Sequence, residues 1–132
     1  MSDRSKRLFS HVDLRVRDAQ RARAFYSALF APLGMQADVG TNFTSYSIDP
    51  DAPDAEQEWF GFTEDAGMEP GSGRLSFWAE TRDTVDRMAE AARAAGARAI
   101  EGPALESQYA PTYYAVFFED PDGNKLEVCC LA

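Results

Sequence analysis

Residues 113–129 of the chain read Tyr-Tyr-Ala-Val-Phe-Phe-Glu-Asp-Pro-Asp-Gly-Asn-Lys-Leu-Glu-Val-Cys. They predict two strands, over 112–118 and 125–131, because the turn residues Asp-Pro-Asp-Gly-Asn stand between two apolar runs. The second strand carries one carboxylate, Glu127, among apolar neighbours. A carboxylate in such a strand must be paired or face a cavity, since burying it alone is costly. Glu127 is therefore the first candidate functional residue.

Two series of elements in the same order account for the rest of the chain. Alternation of apolar and polar residues predicts a strand over 8–17, followed by a helix that Asp18 caps. A second alternating strand over 74–79 precedes a helix over 83–95. The remaining strands are predicted at residues 36–39, 43–48 and 58–62 in the first series and 97–101, 112–118 and 125–131 in the second.

The order strand, helix, three strands occurs twice, which predicts an α+β fold of two consecutive βαβββ modules. The modules cover about residues 8–66 and 74–131, and the glycine-rich segment 67–73 links them within one domain, 1–132. An acidic, turn-rich loop is expected at residues 49–54, because its prolines remove ladder donors.

Composition and charge exclude several classes of protein. The chain has 132 residues, is 45% hydrophobic, and carries 22 acidic against 13 basic residues, a net charge of −9. Such a surface repels nucleic acid and anionic membranes, so neither is expected as a partner. The first residues lack the apolar stretch of a signal peptide, and we expect a cytoplasmic protein. The adjacent Cys129 and Cys130 are expected to be reduced thiols.

Three segments carry a family resemblance. His11-Val-Asp-Leu-Arg-Val-Arg-Asp, Arg21-Ala-Arg-Ala-Phe-Tyr and Ala31-Pro-Leu-Gly-Met resemble the opening of the vicinal oxygen chelate superfamily, which includes glyoxalases, bleomycin resistance proteins and extradiol dioxygenases. Residues 113–129 resemble its closing strands. The resemblance implies that the sheets of the paired modules curl into a mixed-sheet cleft. It also implies a small-molecule ligand and a homodimer.

In that superfamily the metal ligands project into the cleft from the first and last strands of the modules. Carried over, three of these positions fall on His11, Arg74 and Glu127, and a fourth, a carboxylate in glyoxalases, falls within residues 58–60. If a divalent metal (Zn, Ni, Fe or Mn) were bound, the nitrogen of His11 and the carboxylate of Glu127 would be its protein ligands.

Arg74 disfavours the binding of a metal ion at this position, because a guanidinium stays protonated and has no lone pair to donate. His11 is the only histidine, whereas a 2-His-1-carboxylate iron site needs two. Ala110 stands where relatives place a histidine before the Pro-Thr-Tyr-Tyr run. We therefore expect no cofactor. Arg74 would then be the charge partner of Glu127 or the anchor of a ligand carboxylate or phosphate.

The leading hypothesis is a small-molecule-binding protein of the glyoxalase and bleomycin resistance type. The first alternative is a metal-dependent lyase, isomerase or dioxygenase, and the second is a metal-free enzyme with His11 as general base and Arg74 as oxyanion partner. The third is an interaction module without a small ligand. The candidate catalytic residues are His11 and Glu127, and the candidate ligand-binding residues are Arg74, Trp59, Trp78, Tyr109 and Tyr113.

Overall fold

A computed structural model describes residues 8–49, 51–52 and 58–132 of the chain. Two helices and eight strands form over these residues, and a short 3-10 helix at Ala31–Leu33 follows the first α-helix. In chain order the elements are β1 (His11–Val16), α1 (Ala19–Phe30), β2 (Gln36–Val39), β3 (Phe43–Ser47), β4 (Trp59–Glu64), β5 (Arg74–Trp78), α2 (Arg82–Ala94), β6 (Arg98–Leu105), β7 (Tyr114–Glu119) and β8 (Lys125–Cys130).

The strands form two four-stranded mixed sheets with the same topology. The first has the order β1-β4-β3-β2, and the second has the order β5-β8-β7-β6. In each sheet the first strand of the module runs parallel to the last, and the other neighbours are antiparallel. The predicted α+β fold of two consecutive βαβββ modules is therefore confirmed. Of the predicted acidic loop 49–54, residues 50, 53 and 54 lie outside the described residues.

Element ends differ from the predictions by a few residues. The largest difference is in β6, which runs to Leu105 rather than to residue 101. Its pairing with β7 shifts register between Arg98 and Glu101 and again between Glu101 and Ala104. Helix α2 begins at Arg82, one residue before the predicted start, and its N-cap is Thr81, whose hydroxyl accepts the Thr84 amide at 3.1 Å. Neither helix in the described part of the chain is long and apolar enough to cross a bilayer.

The chain divides into two compact units. The first contains the described residues up to Ala19 together with Gly34–Met68, and so holds the first sheet. Alternation along its strands gives this sheet one buried apolar face, formed by Val16, Tyr46, Phe60 and Phe62. The opposite face carries the more exposed residues of β1, including His11.

The second unit contains Gln20–Leu33 and Glu69–Ala132, so both helices lie with the second sheet. The Phe25 ring of α1 lies 6.4 Å from that of Phe118 on β7. Leu126 is the ladder partner of Phe118 and is fully buried on the same face. Helix α2 packs against β6, β7 and β8. The helices thus cover one face of this sheet, and Glu127 points to the opposite face because side chains alternate along β8.

Candidate functional site

The face of the second sheet away from α1 carries a group of polar and aromatic side chains centred on Glu127. Ladder register sets Ser76 of β5 and Phe117 of β7 beside Glu127, and it sets Arg74 beside Lys125. We call this surface the Glu127 face and define it by Arg74, Ser76, Tyr113, Phe117, Lys125, Glu127 and Cys129.

Glu127 is buried and bonded on one side only. It is 8% exposed, and its Oε2 accepts a hydrogen bond from the Tyr113 hydroxyl. Its Oε1 has no hydrogen-bond partner among the residues that the structure describes. An acceptor that is buried without a partner is rare in folded proteins, because most buried polar atoms bond to protein or to ordered water. The second oxygen of Glu127 is therefore available to a ligand.

Tyr113 is held in its neutral, donating form. Burial raises the pKa of the Tyr113 hydroxyl well above its ordinary value, and the neighbouring Cys129 and Glu127 raise that pKa further through hydrogen bonding and charge. A carboxylate beside a phenol disfavours the phenolate, because two negative charges would then face each other. Tyr113 consequently donates to Glu127 throughout the physiological pH range.

Cys129 extends this polar group along β8. Its Sγ lies 3.3 Å from the Ser76 hydroxyl, within hydrogen-bonding distance for sulfur. Both Cys129 and Cys130 are free and buried, which confirms the expected reduced thiols. Ser76 was not singled out in the sequence. Strand alternation already placed it on the Arg74 side, but a serine in a strand carries no specific signal.

Arg74 does not pair with Glu127, so of the two roles predicted for Arg74 the ion pair with Glu127 is wrong, and the role of ligand anchor stays a prediction. Its Nη1 donates to the Leu126 carbonyl at 2.8 Å, and its guanidinium carbon lies 5.3 Å from the centre of the Phe117 ring. The ladder gives the reason, because Arg74 stands opposite Lys125, two residues before Glu127 on β8. The Glu127 carboxylate is meanwhile held by Tyr113.

Two exposed aromatic residues adjoin the Glu127 face. Tyr109 is 63% exposed, and its ring centre lies 5.3 Å from that of Tyr113. Trp78 is 66% exposed and is the ladder partner of Cys129. The second unit therefore brings five of the predicted site residues onto or next to one surface: Arg74, Trp78, Tyr109, Tyr113 and Glu127.

The other two predicted site residues, His11 and Trp59, meet in the first unit. They are ladder partners on β1 and β4, and their rings stack with centres 4.2 Å apart and an angle of 4° between the planes. The Nδ1 of His11 lies 2.7 Å from the Ser10 hydroxyl. The imidazole is thus fixed by a stacking contact on its face and by a hydrogen bond at one nitrogen.

Gly61 gives Trp59 the space for this stack. A Cβ at Gly61 would lie 2.8 Å from the Trp59 ring and 3.0 Å from the Thr44 carbonyl oxygen, both too close. A glycine within a strand is a signal of such close approach, and it was not used in the sequence analysis.

Matching the ladders of the two sheets locates the fourth position expected from the resemblance. The pair His11–Trp59 corresponds to Arg74–Lys125, so Gly61, two residues further along β4, corresponds to Glu127. Placing this carboxylate within residues 58–60 is therefore wrong for this register. Glu58 precedes β4, Trp59 stacks on His11, and Phe60 is buried on the other face.

The residues at the four expected metal positions do not fit a metal. They are His11, Arg74, Gly61 and Glu127, of which only an imidazole and a carboxylate can donate a lone pair. One oxygen of that carboxylate already accepts from Tyr113. Within residues 8–49, 51–52 and 58–132, no three His, Cys, Asp or Glu side chains form a group that could hold a metal ion.

The hairpin turn that precedes Glu127 is rigidly bonded. Asp120 is fully buried, and its Oδ1 accepts the amides of Asp122 and Asn124 at 2.9 Å each. Its Oδ2 accepts from the Tyr26 hydroxyl at 2.6 Å and from the Asn124 side chain at 2.9 Å. Arg21 of α1 forms an ion pair with Asp122. These bonds attach the hairpin turn to α1. The turn leads directly into β8, so they also position the start of that strand.

Comparison with known proteins places this arrangement in context. The family model of the Glyoxalase/Bleomycin resistance protein/Dioxygenase superfamily matches residues 8–128. A glyoxalase/bleomycin resistance protein from Albidiferax ferrireducens T118 has a similar solved structure, with a TM-score of 0.77 and 27% sequence identity over 94% of this chain and 98% of that one. No curated protein sequence matches the chain.

Two fosfomycin resistance proteins share the fold at lower identity. FosX from Mesorhizobium loti has a TM-score of 0.66 and 18% identity over 92% of this chain and 90% of that one. A FosX mutant from Listeria monocytogenes, complexed with Mn(II) and 1S,2S-dihydroxypropylphosphonic acid, has a TM-score of 0.65 and 20% identity over 91% of this chain and 86% of that one. At these identities the likeness shows a shared fold only.

Proposed function

The chain belongs to the Glyoxalase/Bleomycin resistance protein/Dioxygenase superfamily, and on that premise we propose that it is a small-molecule-binding protein whose Glu127 face works without a resident metal ion. The observation that carries the proposal is the position of Arg74. The resemblance places a metal ligand there, whereas this chain places a guanidinium bonded to the Leu126 carbonyl. A guanidinium is always charged, and it repels a divalent cation.

Further support comes from the state of Glu127. It is 8% exposed, one oxygen accepts from Tyr113, and the other oxygen has no partner among the described residues. A buried, half-satisfied carboxylate beside aromatic rings is typical of the few polar groups that orient a ligand in a largely apolar pocket. We propose that this oxygen receives a hydrogen bond from the ligand.

The metal question is tested by measuring the metal content of protein purified without added metal. We expect less than one ion per chain in the wild type and unchanged ligand binding in the presence of a chelator. Arg74→His restores an imidazole and is expected to raise the affinity for Zn²⁺ or Mn²⁺. A stoichiometric ion in the wild type that Glu127→Gln removes would favour the metal-dependent alternative with His11 and Glu127 as ligands.

Ligand binding is tested by screening a library of small organic molecules for stabilisation of the folded chain. Hits that bind the Glu127 face are expected to lose their thermal shift in Glu127→Gln, a variant that keeps the shape of the side chain and its acceptor for Tyr113. Glu90→Gln, which removes the same charge from an exposed position on α2, is the control. Hits that raise the unfolding temperature of both variants equally would contradict a site at Glu127.

A further inference from the structure

The Glu127 face presents opposite charges that are close together but not neutralised by each other. Arg74 and Glu127 lie on one face of neighbouring strands, and no ion pair joins them among the described residues. Their ladder positions are two residues apart along β8, about 6.6 Å in an extended strand. A molecule with two polar groups a few bonds apart can therefore contact both side chains.

The cationic end is prepared for an anion. The Leu126 carbonyl takes one N–H of Arg74, and the Phe117 ring lies beneath the guanidinium. A guanidinium has five N–H donors in a planar fork that matches the oxygens of a carboxylate or phosphate. No other described residue accepts from Arg74, so the remaining donors are open to a ligand.

Lys125 adds a second positive charge at the same end. It is the ladder partner of Arg74 on the same face, and within the described ranges it forms no ion pair. The other ladder neighbour of Lys125 is Glu119 of β7, whose carboxylate lies 3.9 Å from the guanidinium of Arg98, so among the described residues neither Arg74 nor Lys125 is in an ion pair. Their combined field attracts a small anion to this end of the face.

The anionic end is prepared for a hydrogen-bond donor. Glu127 is more than nine-tenths buried, and its Oε1 accepts from none of the described residues. Tyr113 holds the other oxygen by donating its hydroxyl proton to it. A ligand hydroxyl or ammonium group would satisfy Oε1, whereas a second anion would be repelled.

We propose that the Glu127 face binds a bipolar small molecule, in which an oxyanion is held by Arg74 and Lys125 and a hydroxyl or ammonium group, a few bonds away, donates to Glu127. The rings of Phe117, Tyr109 and Tyr113 supply apolar contact for the body of the ligand. The proposal rests on the proposed small-molecule function and adds the ligand class to it.

Calorimetric titration with four probes tests the ligand class. The probe 3-phenyllactate carries a carboxylate, a hydroxyl and a ring. By contrast, 3-phenylpropionate lacks the hydroxyl, and 1-phenyl-2-propanol lacks the oxyanion. We expect 3-phenyllactate to bind about tenfold more tightly than either of these, as one added charge-assisted hydrogen bond predicts. The phosphonate analogue of 3-phenyllactate distinguishes a phosphonate or phosphate ligand from a carboxylate.

Two variants separate the two ends of the ligand. Arg74→Gln is expected to lower the affinity for both carboxylate probes about tenfold and to leave the affinity for 1-phenyl-2-propanol unchanged. Glu127→Gln is expected to weaken the binding of the three probes that carry a hydroxyl and to leave the binding of 3-phenylpropionate unchanged. Arg82→Gln is the matched control, because Arg82 also lies over a ring, 5.1 Å from the centre of Tyr114, and also bonds a backbone oxygen, that of Ala132.

Equal binding of all the probes, no binding of any of them, or binding that Arg74→Gln leaves unchanged would overturn the bipolar class. These failures are distinguishable from failure of the proposed function. Library hits that depend on Glu127 but not on Arg74 would leave a small-molecule site with a different ligand class. Hits that depend on neither residue would reject both proposals.

Discussion

The Tyr113 hydroxyl donates a hydrogen bond to the Glu127 carboxylate, and this bond joins the residue just before β7 to the middle of β8. It holds Glu127 through one oxygen, while Arg74 on the same face of the second sheet bonds the Leu126 carbonyl instead. The bond satisfies one carboxylate oxygen and leaves the other to a ligand. It therefore links the stability of the sheet to the chemistry that we propose for this face.

Removing the Tyr113 hydroxyl should have an effect that depends on pH. Near neutral pH we expect Tyr113→Phe to lower the free energy of unfolding by about 1–3 kcal/mol, since Glu127 loses a buried donor. The folded chain holds the Tyr113 proton more tightly than the unfolded chain does, because the folded-state pKa is raised. This contribution is full below about pH 10, where a tyrosine in the unfolded chain ionises, and it is lost as the pH rises further.

Urea unfolding at neutral pH and at about pH 11 measures both effects of Tyr113→Phe. The difference in unfolding free energy between wild type and variant should shrink at the higher pH. Tyr109→Phe, which leaves the Glu127 bond intact, is the control. A difference that stays constant or grows with pH would show that the phenolic proton is not held by the folded chain.

Replacing Gly61 by alanine should disturb the His11–Trp59 stack. The added methyl group would lie 2.8 Å from the Trp59 ring and 3.0 Å from the Thr44 backbone, so the indole has to move. Overpacking of this kind costs about 1–3 kcal/mol. Near-ultraviolet circular dichroism reports the displaced indole, and urea unfolding reports the cost. Gly73→Ala is the control, because a Cβ there has no atom within 4 Å; equal effects of both variants would contradict the close approach.

Tyr26→Phe should destabilise the second unit more than Tyr114→Phe does. Tyr26 donates to Asp120, which is fully buried, whereas Tyr114 donates to the exposed Asp86, in both cases at 2.6 Å. Loss of a hydrogen bond to a buried charge costs about 1.5–3 kcal/mol, whereas an exposed partner finds water. Urea unfolding of the two variants provides the comparison. If the two variants lose the same free energy of unfolding, the hydrogen bond from Tyr26 does not stabilise the buried turn.

The two thiols should be protected in the folded chain. Cys129 is 4% exposed and Cys130 is fully buried, and neither is in a disulfide. We expect slow reaction with a thiol reagent under native conditions and rapid labelling of both groups in urea, because the reagent must enter the core to reach them. Cys129→Ala should halve the number of thiols labelled in urea. Rapid native labelling would mean that the Cys129 side of β8 is open.

The periodicity of the sequence is sufficient to predict the elements of this fold. Alternating residues on β1 and β5, the apolar spacing of α1 and α2 and the turn 120–124 predict two βαβββ modules, and the structure confirms their order. These signals are local, because each depends on residues within a few positions of one another. The order of elements does not indicate which sheet a helix covers, and α1 lies in one unit with the second sheet.

Of the candidate site, the residues were predictable and their partners were not. The sequence itself shows the charged and phenolic groups of Glu127, Arg74 and Tyr113, and it shows that the chain has one histidine. Whether Glu127 bonds Arg74 or Tyr113 depends on the register of β5 against β8 and on where the chain enters β7. The glycine at position 61 is likewise known from the sequence, whereas the indole that occupies the space beside it is positioned by the pairing of β1 with β4. Register joins residues that are distant in the chain, and for that reason only the tertiary structure decides it.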